Sequence, residues 1–100
     1  MYNFRTYHLA VEFYKMSKTL PLSGALKEQL SRAAPSIALN LAEGRGRATT
    51  KDQCRFFHIA LGSLRECQTI LELADLQKTQ AWDVLDKLGA HLYKLIKNRG

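Results

Sequence analysis

Ser36-Ile37-Ala38-Leu39-Asn40-Leu41-Ala42-Glu43-Gly44-Arg45-Gly46-Arg47 is the stretch that decides how this chain folds. An apolar helical segment carries a polar Asn40 within its apolar stripe, meets a glycine, and opens into a basic turn. Upstream, Leu26, Leu30, Ala33, Ile37 and Asn40 keep a 4, 3, 4, 3 spacing, which is one face of an α-helix. The predicted second helix starts at about Ser23, an N-cap residue type, and ends at Glu43, with Gly44 as its stop. Pro35 sits inside it. It removes a helical donor and crowds the Ser31 carbonyl, which costs about 3 kcal/mol in a regular helix. A kink at Pro35 is expected. A split into two helices, with Pro35 in the first turn of the second, is the alternative.

The flanking segments read the same way. Helix 1 is expected over about 4 to 19, with Leu9, Phe13, Met16 and Leu20 on one stripe, Val11 and Tyr14 beside it, and Pro21 blocking continuation. Helix 3 follows Thr50, an N-cap candidate with Asp52 in the first turn. Its seam is Phe57, Ala60, Leu64, Cys67, Leu71 and Ala74, and it ends near Leu76. Helix 4 follows Thr79, with Leu85, Leu88, Leu92 and Leu95 in the same rhythm. Four helices joined by short connections make a single all-α domain, an antiparallel up-down-up-down four-helix bundle covering 1–100.

Composition narrows the class of function. The chain has 100 residues and a net charge of +6, which favours a polyanionic partner, nucleic acid before a membrane surface. No 18-residue apolar run is present, so no membrane span is expected. The N-terminus has no apolar signal region. Cys54 and Cys67 lie thirteen residues apart in one helix, about 20 Å at the helical rise and beyond disulfide reach. Two such thiols point to a reducing compartment, hence the cytoplasm. No His/Cys spacing suits zinc, and neither a metal nor a cofactor is expected.

The up-down topology gathers charge. One end of the bundle would collect Arg5, Arg45, Arg47, Lys51, Arg55, Lys94, Lys97 and Arg99, opposed only by Glu43 and Asp52. Eight cations less two carboxylates equal the whole net charge, so this end is the expected phosphate-contacting pole. It has glycine but little aromatic content, which gives weak support to stacking on single-stranded bases. The turn Gly44-Arg45-Gly46-Arg47 lacks the length and the Lys-Ser/Thr ending of a P-loop.

Residues that attract a chemical reading have structural readings. Asn40 is expected to be a core polar group fixing helix register or oligomer state. Glu43 is expected to be either a helix-end carboxylate or the partner of a base on helix 3, with Arg65 and His58 as candidates, and a structural ion pair is favoured over an acid–base pair. Gly62 is expected to allow close helix approach. Ser36 and Ser63 lack the base and orienting group of a catalytic nucleophile, so no catalytic residue is expected and the chain is not read as an enzyme. His8 and His91 read as isolated surface residues. Apolar residues on more than one face of helix 1, and Phe56 beside Phe57, leave surplus apolar surface that suggests a subunit interface.

Three stretches resemble a bacterial family of four-helix-bundle proteins whose founding members are encoded in intervening sequences of large-subunit ribosomal RNA genes. They are Tyr7 to Tyr14, Gln29 to Gly44, and Phe56 to Glu66. The family pattern Arg-Ala-x-x-Ser-Ile-x-x-Asn-x-x-Glu-Gly falls on Arg32, Ala33, Ser36, Ile37, Asn40, Glu43 and Gly44, and Gly-Ser-x-x-Glu on Gly62, Ser63 and Glu66. The family is also similar to the accessory variability determinant of diversity-generating retroelements, a basic homopentamer that binds nucleic acid and a reverse transcriptase. The resemblance implies a homo-oligomeric bundle, pentameric in the related protein, with a basic surface. A reverse-transcriptase partner follows only by analogy. Two functions are therefore expected of the chain: an RNA- or DNA-binding accessory protein, or a protein-interaction scaffold whose charge serves solubility.

Overall fold

The computed structural model describes residues 4–99, with side chains over 5–98. Four helices follow one another: α1 (Phe4–Ser17), α2 (Gly24–Arg45), α3 (Thr50–Leu73) and α4 (Gln80–Arg99). No strand occurs among the described residues. α1 packs on α2 and α4, and α3 packs on α2 and α4, while the diagonal pairs stay apart. The pairing is antiparallel. Ser36 meets Ser63 and Gly44 meets Phe57, so moving forward along α2 moves backward along α3. The bundle measures 40 × 21 × 18 Å.

The core lies between the stripes read from the sequence. Phe57, Ala60, Leu64, Cys67 and Leu71 of α3 are buried, as are Leu85, Leu88 and Leu92 of α4. Leu9, Ala10 and Phe13 face them from α1. On α2 the buried stripe is Leu30, Ala33, Ala34, Ile37, Leu41 and Gly44. The core is therefore fed by Leu41 and Gly44, and Asn40 falls at its edge, half-buried. Asn40 Nδ2 donates to the Ser36 carbonyl at 2.8 Å and to Ser36 Oγ at 3.1 Å, and Ser36 Oγ shares a 2.8 Å hydrogen bond with Ser63 Oγ. This polar bridge ties the amide to both helices, where an unmet group would cost about 1–3 kcal/mol.

The helix ends differ from expectation at several points. α2 runs through Pro35 as one helix, so the two-helix alternative is not adopted. It also runs through Gly44 to Arg45, with Gly46 as the cap, whose N–H reaches the Ala42 and Glu43 carbonyls. Gly44 is a packing residue: a Cβ there would lie 2.7 Å from Phe57 Cε1 and 3.1 Å from the Gln53 carbonyl oxygen. Gly62, expected to serve that purpose, faces open space. Ser23 is extended at the N-cap position but its side chain makes no capping bond. Thr49, one residue earlier than expected, caps α3, its Oγ1 accepting from the Asp52 N–H at 3.1 Å. α3 closes with Asp75 left-handed at φ 58°, the Leu76 N–H returning to the Leu71 carbonyl at 2.8 Å. That is a Schellman ending with aspartate in the place glycine prefers. Thr79 Oγ1 accepts from the Trp82 N–H at 3.2 Å and starts α4.

Cys54 and Cys67 are both free thiols of α3. Burial, with Glu66 alongside, pushes the Cys67 thiol up to about 12, so it stays protonated and acts as a small core residue.

Candidate nucleic-acid interface

The α2–α3 turn is built to hold arginines outward. Because Gly44 lets α3 approach closely, the turn 46–49 is short and lies directly above the bundle end. Gln53 Nε2 donates to the Arg47 carbonyl at 3.1 Å, and the Arg47 N–H donates to the Gly44 carbonyl at 3.1 Å. These bonds fix the turn backbone and so the direction in which Arg47 leaves it, while Arg45 is set by the last turn of α2.

Aromatic rings then receive the guanidinium groups. Arg45 sits 5.6 Å from the centre of the Tyr7 ring. Arg47 and Arg55 sit 4.6 and 4.4 Å from the centre of the same Phe56 ring. A cation over an aromatic face gains about 0.5–1 kcal/mol at an exposed site. Phe56 thus points away from the core, as one of the Phe56–Phe57 pair had to, and it belongs to the basic end. The expectation of little aromatic content at this pole is corrected. Phe56 adjoins Arg55 in sequence, but only the path of the 46–49 turn brings Arg47 to the same ring.

Two carboxylates temper the charge. Glu43 pairs with Arg47 at 2.8 Å and Asp52 with Arg55 at 3.8 Å. Glu43 therefore pairs within its own helix end, not with Arg65 or His58 of α3. The antiparallel register keeps Arg65 away: Glu43 is level with Phe57, about 12 Å along the axis from Arg65. His58 and Arg65 face α4. Such exposed pairs contribute about 0.3–0.5 kcal/mol each, and they leave both guanidiniums accessible. The Nε of Arg47 is enclosed and has no acceptor among the described residues.

The remaining predicted contacts come from α1 and α4. Arg5 is exposed, and the His91 imidazole feels its charge together with those of Lys87 and Lys94. Lys51 is exposed on the first turn of α3 and Lys94 on α4. Lys97 lines a cleft against α3. Arg45, Arg47, Lys51, Arg55, Lys94 and Lys97 thus meet at one end with Arg5. The side chain of Arg99 lies outside the described residues. Seven cations against Glu43 and Asp52 leave an excess of five at this end.

Burial first, then Arg5, Lys87 and Lys94, hold the His91 imidazole below its ordinary range. The folded state therefore takes up a proton less readily than the unfolded chain. His91 costs no stability above its ordinary value of 6.5, and stability falls as the pH drops below it. We expect the melting temperature to drop between pH 7.5 and 5.5 and the drop to be smaller in His91→Gln. An equal drop in both proteins would assign the acid sensitivity to other groups.

No group of His, Cys, Asp and Glu residues fit to hold a metal ion occurs among the described residues. No helix there is long and apolar enough to cross a membrane. Comparison with known proteins agrees with this architecture. A crystal structure from Bacteroides thetaiotaomicron, described as a protein of unknown function from the S23 ribosomal protein family, superposes with a TM-score of 0.64 at 18% identity, over 99% of this chain and 94% of that one. No curated protein matches the chain. The model of the 23S rRNA-intervening sequence protein family matches residues 4–98. With nearly its whole length matched and the bundle in place, the chain belongs to the 23S rRNA-intervening sequence protein family.

Proposed function

We propose that this chain is a non-enzymatic, homo-oligomeric accessory protein of the cytoplasm that binds RNA or DNA through its basic end. The observation that carries the reading is the convergence of Arg45, Arg47, Lys51 and Arg55 with Lys94 and Lys97 at one pole, with two arginines held on Phe56. Guanidiniums fixed before the ligand arrives lose less side-chain freedom on binding. Their N–H forks suit phosphate oxygens. The hydroxyls of Ser36 and Ser63 bond to each other, and that of Ser36 also accepts from Asn40, which is a structural use of both. Self-association is supported by large apolar side chains on the outside of the bundle, Leu39 at 67% and Ile59 at 44% exposure. A pentamer is the assembly to test first, by analogy with the related retroelement protein.

Purification at low salt tests the reading in one preparation. We expect excess absorbance at 260 nm from bound nucleic acid and a light-scattering mass several times 11.4 kDa. Added structured RNA should bind with an affinity that falls by orders of magnitude between about 50 and 200 mM salt. Absence of binding at low salt, or affinity indifferent to salt, would overturn nucleic-acid recognition. A monomeric mass would overturn the oligomer. A stoichiometric protein recovered with no nucleic acid would favour the scaffold reading, for which exposed Leu39 and Leu73 would be the contact residues.

A further inference from the structure

A cleft of about 380 Å³ opens between α3 and α4, lined by His58, Leu61, Arg65, Tyr93, Ile96 and Lys97. From this cleft we infer a second site, one that takes an unpaired nucleotide; the inference rests on the nucleic-acid reading above and specifies the form of the ligand. Leu61 and Ile96 give the cleft an apolar floor. Tyr93 stands at its side with 58% of its surface exposed. The lining holds two permanent cations, Arg65 and Lys97, and no carboxylate. An apolar helix seated here would bury those cations without partners, which is costly. A nucleotide satisfies both halves of the lining: its base covers Leu61 and Ile96 and stacks on Tyr93, and its phosphate meets Arg65 and Lys97.

The outer face of α3 leads from the basic turn to this cleft. Lys51, Arg55, His58, Gly62 and Arg65 recur at a 4, 3, 4, 3 spacing and are all exposed. Lys51, Arg55 and Arg65, with His58 and Gly62 between them, form one exposed stripe along the helix. Gly62 lies within it with nothing near the position of a Cβ. A phosphate chain can therefore come close to the helix surface at that point. A strand anchored at the 45–55 turn would run down this stripe and deliver one base to the cleft. A duplex keeps its base faces stacked and cannot do so. The cleft thus gives the protein a preference for unpaired strand.

The test compares a labelled 12-nucleotide oligouridylate with an RNA duplex of equal length. Tyr93 is mostly exposed, so Tyr93→Ala leaves the core intact, and Tyr93→Phe keeps the ring. We expect Tyr93→Ala to weaken oligouridylate binding by about 5- to 150-fold. Duplex binding should stay within about twofold, and Tyr93→Phe should recover the oligouridylate affinity. Uridine monophosphate should shift the amide resonances of Leu61 and Ile96 in wild type. Saturation at concentrations similar to those of the oligomer would identify a free nucleotide as the ligand, and much weaker saturation would identify a strand. If Tyr93→Ala binds oligouridylate as wild type does and the monophosphate moves no cleft resonance, the site is overturned while RNA binding at the basic end stands. If no RNA binds at low salt but the monophosphate still moves the cleft, the basic-end reading falls and the cleft remains.

Discussion

Gly44→Ala is expected to lower stability by up to about 2 kcal/mol, although alanine is the better helix former. Gly44 is inside α2, not beyond its end, so the substitution gains about 1 kcal/mol in helix propensity. Against that stands a collision. The new Cβ would lie 2.7 and 2.9 Å from two carbons of the Phe57 ring and 3.1 Å from the Gln53 carbonyl oxygen. Phe57 is fully buried and cannot swing aside, and the carbonyl moves only if α3 moves. Overpacking of this kind costs about 1–3 kcal/mol in a close-packed interior, and displacement of α3 would loosen the polar bridge from Ser36 to Ser63 as well. Gly62→Ala is the matched control. It is also a helical glycine of the bundle, but its Cβ would meet nothing, so only the propensity gain of about 0.5–1 kcal/mol remains. At about 4–8 °C per kcal/mol for a domain of this size, the two variants should melt on the order of 10 °C apart on opposite sides of wild type. Thermal unfolding followed by circular dichroism, at matched protein concentration, decides it. A Gly44→Ala protein that melts at or above wild type would sink the packing account.

The contrast between these glycines marks the boundary of what the sequence discloses. Heptad spacing in α3 and α4 sufficed to identify the core, because a residue repeating every 3, 4, 3, 4 positions can face only one way on a helix. The gathering of charge at one end followed from the same spacing and the short turns. Glycine identity is different, since a helix stop and a site of close approach demand the same residue. Gly44 sits two residues before a second glycine, and the choice between them as cap depends on Phe57, which arrives from another helix. Phe56 and Phe57 posed a similar choice. Both are apolar, and helix phase alone shows that Phe57 continues the Ala60–Leu64 seam while Phe56 leaves it. That Phe56 then lies against Arg47 and Arg55 depends on where the 46–49 turn places Arg47. Glu43 pairs as a helix-end carboxylate because it finds the nearest guanidinium, Arg47, first; Arg65 is not level with it, and His58, though nearly level, lines the α3–α4 cleft.

Simultaneous replacement of Arg45, Arg47, Lys51 and Arg55 by glutamine is expected to reduce RNA affinity by about two to three orders of magnitude at 0.1 M salt. Each phosphate contact on a single strand contributes about 0.7 to the slope of log K against log salt. One decade below 1 M, four lost contacts therefore remove roughly 3 logarithmic units of affinity, and the slope should fall by roughly 3. Net charge changes as well, from +6 to +2, so the result needs a control that removes the same charge elsewhere. Lys18, Lys27, Arg32 and Lys78 are exposed and lie on the other half of the bundle, Lys18 and Lys78 in the turns of the opposite end. Their replacement by glutamine also leaves +2. If the basic end contacts phosphate, the first set lowers both affinity and slope, and the second changes affinity far less, through long-range attraction screened over about 10 Å at this salt. Both sets should stay folded, because every substituted side chain is at least partly exposed; the first set loses ion pairs worth a few tenths of a kcal/mol each and three cation–ring contacts worth about 0.5–1 kcal/mol each, and a circular dichroism melt checks both. Equal losses from both sets would mean that net charge alone attracts the polyanion, and the convergence of arginines above Phe56 would then have no part in binding.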